Sequence, residues 1–202
     1  MKWSALIAAA GESTRMGECK ALLPFGDKTF VEELVDRFLE SGIHDVWVTV
    51  PTGPDSKRVA RLISTKANCI ENRYAHLGLT GSIRTFLEPG KDIDGFILCP
   101  VDMPFVIPDL VLQLQNAVIQ TASAIPALAA LPEYEGKPGH PILLTQPLFH
   151  RFDSDALAGP QEVLASLGDR VARIPVHDDR ILANINTPDV FRKWFSTRPK
   201  PS

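Results

Sequence analysis

Trp3-Ser4-Ala5-Leu6-Ile7-Ala8-Ala9-Ala10 runs directly into Gly11-Glu12-Ser13-Thr14-Arg15-Met16-Gly17-Glu18-Cys19-Lys20. An unbroken run of small apolar residues marks a strand buried on both faces, and such strands sit inside parallel sheets covered by helices. The rest of the chain supplies those helices. Residues 28–41 read as a helix in which Phe30, Leu34 and Phe38 form one apolar line flanked by Val31 and Val35, with Gly42 as its stop. Val46–Val50 is a second buried strand, closed by Pro51-Thr52-Gly53-Pro54, and 55–65 follows as a helix. Downstream, Asn68–Asn72, Phe96–Cys99, Val171–Val176 and Ile181–Ile185 read as strands, with Ala122–Ala130 and Ile142–Leu144 as further candidates. Ser82–Leu87, Pro108–Gln120, Pro160–Leu167 and Pro188–Phe195 read as helices. Strands alternating with helices predict βαβ units with right-handed crossovers, hence a layered α/β fold around a mostly parallel, twisted sheet. In such sheets ligands bind beyond the carboxyl ends of the strands, so the residues just after each strand are the functional candidates.

The loop after the first strand suits a polyphosphate. Ala9, Ala10 and Gly11 are small, so backbone N–H groups there can approach an anion closely. Arg15 can grip a phosphate with two parallel hydrogen bonds, and Lys20 adds a compact positive charge. Two familiar phosphate motifs are missing: the fifth position after Gly11 is Met16, which breaks a Walker A loop, and there is no GxGxxG. Cys19 has no resolving partner and reads as incidental.

Asp102, within Pro100-Val101-Asp102-Met103-Pro104, falls just past the Phe96–Cys99 strand. A carboxylate there is a good magnesium ligand beside phosphate oxygens. Taken alone, it reads more readily as a turn Asp bonded to nearby backbone. Asn184 closes a predicted strand, and Asn186 or Thr187 reads as the cap of the last helix, with Pro188 in its first turn. Pro132–Pro138 reads as a polar loop that would act as a lid before Gly139-His140-Pro141, and Asp178 and Asp179 read as a solvated turn.

Composition limits the function classes. The chain has 202 residues, 45% apolar and 22% charged, which excludes a disordered chain, a collagen and a coiled coil. One domain over 1–202 is the expectation, with 198–202 as a tail. The least charged stretch, Ile107–Leu131, carries Pro108, Asp109, Asn116 and Pro126 and falls short of a membrane span. A net charge of −3 disfavours a general nucleic-acid binder. Cys19, Cys69 and Cys99 form neither a disulfide framework nor a zinc box. No signal-peptide pattern precedes the first strand, so the expected location is the cytoplasm.

Ala8-Ala9-Ala10-Gly11-x-Ser13-x-Arg15-Met16-Gly17-x-x-Lys20-x-Leu22-Leu23-Pro24 resembles the signature loop of the MobA-like NTP transferases. The Asp102 segment, Gly139-His140-Pro141 and Asn184-Ile185-Asn186-Thr187-Pro188 agree with that family in order and spacing. The resemblance implies a three-layer Rossmann-like nucleotidyltransferase fold, of the nucleotide-diphospho-sugar transferase type, and a Mg2+ cofactor. It implies nucleotide binding by Ala9, Ala10, Gly11, Ser13, Arg15, Lys20 and Ser82, and catalytic roles for Arg15, Lys20 and Asp102. Metal ligation would fall to Asp102 and Asn184, and contact with the acceptor to His140.

Within the family, Ala10 and Gly-His-Pro resemble the molybdopterin cytidylyltransferase group, whereas Asn184-x-Asn186 resembles the guanylyltransferase branch. An amide oxygen at Asn184 ligates a metal without adding charge. The expectation is therefore transfer of a nucleoside monophosphate from an NTP, CTP favoured, to a phosphorylated acceptor, molybdopterin or molybdenum cofactor, with release of pyrophosphate. A cofactor-receiving enzyme or chaperone would be the protein partner, with no nucleic acid or membrane. Guanylyl transfer, transfer to another small phosphorylated alcohol or sugar, and a nucleotide- or cofactor-binding protein without turnover stay open.

Overall fold

The computed structural model describes residues 1–11, 16–119, 125–153 and 159–196. The elements are β1 (Trp3–Ala8), β2 (Pro24–Phe25), β3 (Lys28–Thr29), α1 (Phe30–Glu40), β4 (Asp45–Val50), α2 (Pro54–Ile63), β5 (Asn68–Glu71) and α3 (Gly78–Leu87). They continue with β6 (Gly95–Pro100), α4 (Pro108–Ile119), β7 (Ala129–Tyr134), β8 (Lys137–Pro138), β9 (Ile142–Thr145), α5 (Pro160–Leu167), β10 (Val171–Pro175) and α6 (Pro188–Ser196). The main sheet runs in the order β10-β7-β9-β6-β1-β4-β5, with β8 paired to β7. β1 pairs in parallel with β4 on one side and with β6 on the other, and β9 joins β6 antiparallel.

Alternation along β1 explains the layers. Ala5 and Ile7 pack in one core with Phe30 and Leu34 of α1, Val59 of α2 and Leu114 of α4. Leu6, between them, points into a second core with Ile83 and Phe86 of α3 and Val163 of α5. A period of two sends neighbours to opposite faces, so a strand apolar at every position needs helices on both sides. From β1 the chain winds outward through β4 and β5, then crosses back to β6 on the opposite side. That reversal opens a crevice at the carboxyl ends of β1 and β6, the usual ligand position of such sheets.

Several boundaries differ from the sequence reading, each for a local reason. α1 starts at Phe30 because Thr29 and Glu32 form a reciprocal capping box, with Thr29 N donating to Glu32 Oε2 at 2.9 Å. Pro132–Pro138 is not an open loop. It forms the β7–β8 hairpin, whose tip, Glu135 (φ 49°) and Gly136 (φ 75°), takes the left-handed turn that hairpins favour. Ile181–Ile185 is not a strand: Asp178 caps a 3-10 turn over Asp179–Leu182 by accepting from Arg180 N. Its backbone groups then go to single partners: His140 N donates to Ile181 O, and Ile185 N donates to Asp102 O at 2.7 Å. Asp178 is accordingly ion-paired to Arg180 rather than simply solvated. Ala122–Ala130 is a strand only from Ala129, and its start lies partly outside the described residues, as do Ser13, Arg15 and the 198–202 tail.

α3 begins at Gly78, earlier than Ser82, and packs closely on the preceding turn. A Cβ on Gly81 would stand 1.9 Å from the backbone oxygen of Tyr74 and 2.8 Å from its carbonyl carbon. Backbone cannot yield as a side-chain tip can. Gly81→Ala, ordinarily favourable in a helix by about 1 kcal/mol, is expected here to destabilise by about 2–3 kcal/mol. A lower urea midpoint at unchanged m-value is the result to look for; an unchanged midpoint would remove the packing argument.

Candidate active site

The ends of β1 and β6 lie side by side, Ala8 in register with Pro100. Val101 N donates to Ala8 O at 3.0 Å, and Met103 N donates back to Pro100 O at 3.0 Å, which turns the chain tightly around Asp102. The Cys99 thiol, buried beneath this turn, donates to Met103 O and is pushed well above the usual thiol range by burial. Ala9 N, after β1, is tied to Thr49 O of β4 at 2.8 Å. The small residues after β1 therefore stand against the Asp102 turn at the carboxyl ends of these two central strands.

Lys20 opens a 3-10 turn and reaches the Asp102 turn. Its ammonium donates to Asp102 Oδ2 at 2.8 Å and to Asn186 Oδ1. The Lys20 and Asp102 side chains are only 16% and 17% exposed, so water screens this pair less than a surface ion pair. Next to Lys20, Cys19 has its pKa raised, chiefly by burial, and the neighbouring cation does not turn it into a reactive thiolate.

A cavity of about 340 Å3 opens on these groups. Ala9, Ala10, Gly11, Lys20, Ser82, Asp102, His140 and Asn184 are among its lining residues. Every described residue that the sequence reading placed in the site lines this one cavity. Ser82, buried in α3, takes a hydrogen bond from Asn72 Nδ2 at 3.3 Å, which orients its hydroxyl. Arg84, also on α3, stacks on the Tyr74 ring, 4.5 Å from its centroid.

A second cavity, of about 820 Å3, adjoins the first. Its lining is largely apolar, with Leu77, Leu131, Ile142 and Leu164. Leu79, His140 and Gln161 line both cavities. Arg173 at its wall is paired with Glu133 at 2.8 Å, and Glu162 caps α5 by accepting from Gly159 N.

The sequence offers Asn186 or Thr187 as the cap of the last helix and does not single out Gln161. The structure assigns the cap to Thr187, whose Oγ1 accepts from Val190 N, and leaves the Asn186 amide to Lys20. Only the Asn184-x-Asn186 spacing hinted at this: alternate residues of an extended segment face the same way. Asp102 with the amide oxygens of Asn184 and Asn186 is an all-oxygen donor set suited to a hard divalent cation. Among the described residues no three acidic, His or Cys side chains converge. A cation here would therefore need substrate phosphate oxygens and water to complete its shell.

The MobA-like NTP transferase domain matches residues 5–171. The molybdenum cofactor cytidylyltransferase of Escherichia coli K12 is 27% identical over 188 residues, 92% of each chain. A probable molybdenum cofactor guanylyltransferase of Mycolicibacterium paratuberculosis is 28% identical, over 98% of each. Among solved structures, a nucleotidyl transferase from Methanothermobacter superposes with a TM-score of 0.75 at 20% identity, covering 96% of both chains.

Proposed function

Starting from a chain that belongs to the MobA-like NTP transferase family and is a nucleotidyltransferase, we propose that it transfers CMP from CTP to a phosphorylated acceptor, molybdopterin or molybdenum cofactor, and releases pyrophosphate. One observation carries this reading: a lysine, a carboxylate and a run of small residues line one cavity that opens beside a larger apolar one. The triphosphate lies in the smaller cavity, and the acceptor body in the larger. An oxygen of the acceptor phosphate attacks the α-phosphorus while the bond from that phosphorus to the β-bridging oxygen breaks, and the electron pair leaves with pyrophosphate. The acceptor phosphate is largely ionised near pH 7, so no base is needed to make it a nucleophile.

Lys20, together with Arg15, meets the charge that builds on the leaving pyrophosphate. Asp102 and Asn184, with Asn186 beside them, hold Mg2+, which when bound neutralises phosphate charge and helps to align the attack. Gly11, Ser13 and the backbone around Ala9 and Ala10 take the nucleotide. The Ala10 side chain, almost fully buried on the cavity wall, leaves less room than glycine would and favours the smaller pyrimidine. We place the protein in the cytoplasm, handing its product to a cofactor-receiving enzyme or chaperone. Guanylyl transfer is the second reading, and Asn184-Ile185-Asn186 favours it.

Pyrophosphate release from each of the four NTPs, mixed with molybdopterin and Mg2+, tests the proposal. Release with CTP alone is the expected result. Release with GTP alone selects the second reading, and nucleotide binding without release in any mixture overturns both. In parallel, CTP with Mg2+ should raise the melting temperature more than GTP does, since a ligand at 100 times its dissociation constant adds about 2.7 kcal/mol.

A further inference from the structure

Asn72 follows β5 directly and is almost fully buried. Its backbone N–H donates to Val50 O at 2.8 Å, which ties it to the carboxyl end of β4. Its side chain meets three groups. Tyr74 N donates to Oδ1 at 2.8 Å, and Thr85 Oγ1 donates to the same oxygen at 2.8 Å. Nδ2 donates to Ser82 Oγ at 3.3 Å. A backbone N–H can only donate, so the amide atom facing Tyr74 N is the oxygen, and the amide cannot turn over. Nδ2 is therefore held toward Ser82, and Ser82 Oγ must accept. Ser82 and Thr85 stand one turn apart on the buried face of α3. Of these three polar side chains, only that of Ser82 belongs to a residue lining the smaller cavity.

We propose that Asn72 is a positioning residue that makes Ser82 a hydrogen-bond donor to the nucleotide. This rests on nucleotide binding in the smaller cavity and deepens it. A serine hydroxyl carries one hydrogen and two lone pairs, and Asn72 engages a lone pair. Serines in helices commonly turn the hydrogen back to their own backbone. Ser41, Ser64 and Ser166 do so, each donating to the carbonyl three residues earlier. Ser82 does not: among the described residues its hydroxyl hydrogen has no acceptor. A hydrogen held back from the helix is left for what fills the cavity. The ligand chemistry it selects is an acceptor oxygen or nitrogen, which a nucleotide offers on its phosphates and on its nucleoside.

The test is calorimetric, with Mg2+ and whichever of CTP and GTP wild type binds more tightly, and with no phosphorylated acceptor present. Ser82→Ala should weaken the nucleotide about tenfold, as for one lost hydrogen bond. Asn72→Ala, which lets the hydroxyl return to its own helix, should weaken it about fivefold or more. In the Ser82→Ala background, Asn72→Ala should add less than about twofold, because a residue acting through Ser82 has nothing left to act on. Thr85→Val is the structural control. It removes one bond to Asn72 Oδ1 but leaves Tyr74 N to fix the amide, so it should lower the melting temperature and leave nucleotide affinity unchanged. Should Asn72→Ala fail to fold, Asn72→Asp replaces it. Aspartate keeps the bonds from Tyr74 N and Thr85 and makes Ser82 donate inward, so its loss of affinity should be larger with Ser82 present than with alanine there. Inorganic tripolyphosphate separates the two sources of the acceptor. An equal loss with tripolyphosphate in Ser82→Ala places the acceptor on the phosphates, and a loss with nucleotide alone places it on the nucleoside; either supports the proposal.

Unchanged nucleotide affinity in Ser82→Ala overturns it. So do losses that simply add in the double variant, or a Thr85→Val protein that loses as much affinity as Asn72→Ala. A wild type that binds neither nucleotide overturns it as well. If the two residues are coupled but no nucleotidyl transfer occurs with molybdopterin, the positioning stands and the acceptor reading is wrong. If transfer occurs and the coupling is absent, only the positioning is wrong.

Discussion

Lys20→Met should leave the protein folded, slow nucleotidyl transfer by at least ~100-fold and let Mn2+ bind in the absence of nucleotide. The slowing follows from the removal of one preorganised positive charge from a departing pyrophosphate, comparable to deleting an oxyanion-hole donor. The metal effect follows from where the ammonium sits. With its Nζ 2.8 Å from Asp102 Oδ2, Lys20 occupies the carboxylate that, among the described residues, lines this cavity. Two like unit charges 4 Å apart repel by about 4 kcal/mol at an effective dielectric of 20, and a divalent ion doubles that figure. A metal arriving alone thus faces an occupied ligand and a repelling neighbour. A triphosphate changes both terms, drawing the ammonium toward its own oxygens and bringing negative charge to the cation. Calorimetric titration of Mn2+ into wild type should show tight binding only with CTP present, and into Lys20→Met with or without it. Tight Mn2+ binding to nucleotide-free wild type would contradict this account.

Asp102→Ala is expected to lose at least ~100-fold in turnover at saturating Mg2+ without loss of fold. Its structural role is carried by the main chain: the carbonyl of Asp102 accepts from Ile185 N at 2.7 Å, and alanine keeps that bond. The side chain contributes a mostly buried ion pair with Lys20, whose loss is expected to cost about 1.5–3 kcal/mol, since the ammonium keeps its bond to Asn186 Oδ1. Stability and rate should therefore separate. Asp102→Asn divides the effect further, since it can still accept from Lys20 but carries no charge. If Asn restores most of the rate, positioning of Lys20 dominates; if it behaves like Ala, the negative charge does. Wild-type turnover in Asp102→Ala would remove the carboxylate from the mechanism altogether.

Much of the fold was legible because its signals are local. The apolar run of β1, the i, i+4 line of Phe30, Leu34 and Phe38, and prolines in the first turns of α4, α5 and α6 each report on a few neighbouring residues. The errors fell where a local pattern met a distant partner. Ile181–Ile185 is apolar enough for a strand, yet its backbone bonds are claimed singly by the 102 and 140 segments. The polar composition of Pro132–Pro138 suggested a lid, whereas Glu135 and Gly136 turn it into a hairpin. Of the two cap candidates, Asn186 and Thr187, the structure takes Thr187.

By itself, then, the amino-acid order determined a layered α/β chain whose phosphate-type loop and acidic turn both follow buried strands. That much depends on hydrophobic period and residue size, which act over a turn or two of chain. Only tertiary structure decided that Asn186 meets Lys20 across 166 residues, that among the described residues His140 Nε2 is buried without a hydrogen-bond partner, and that His140 and Gln161 line the same two cavities. These depend on which strand lies next to which and on how closely the helices pack, and no local pattern encodes the distance between residues that the folded sheet alone brings together.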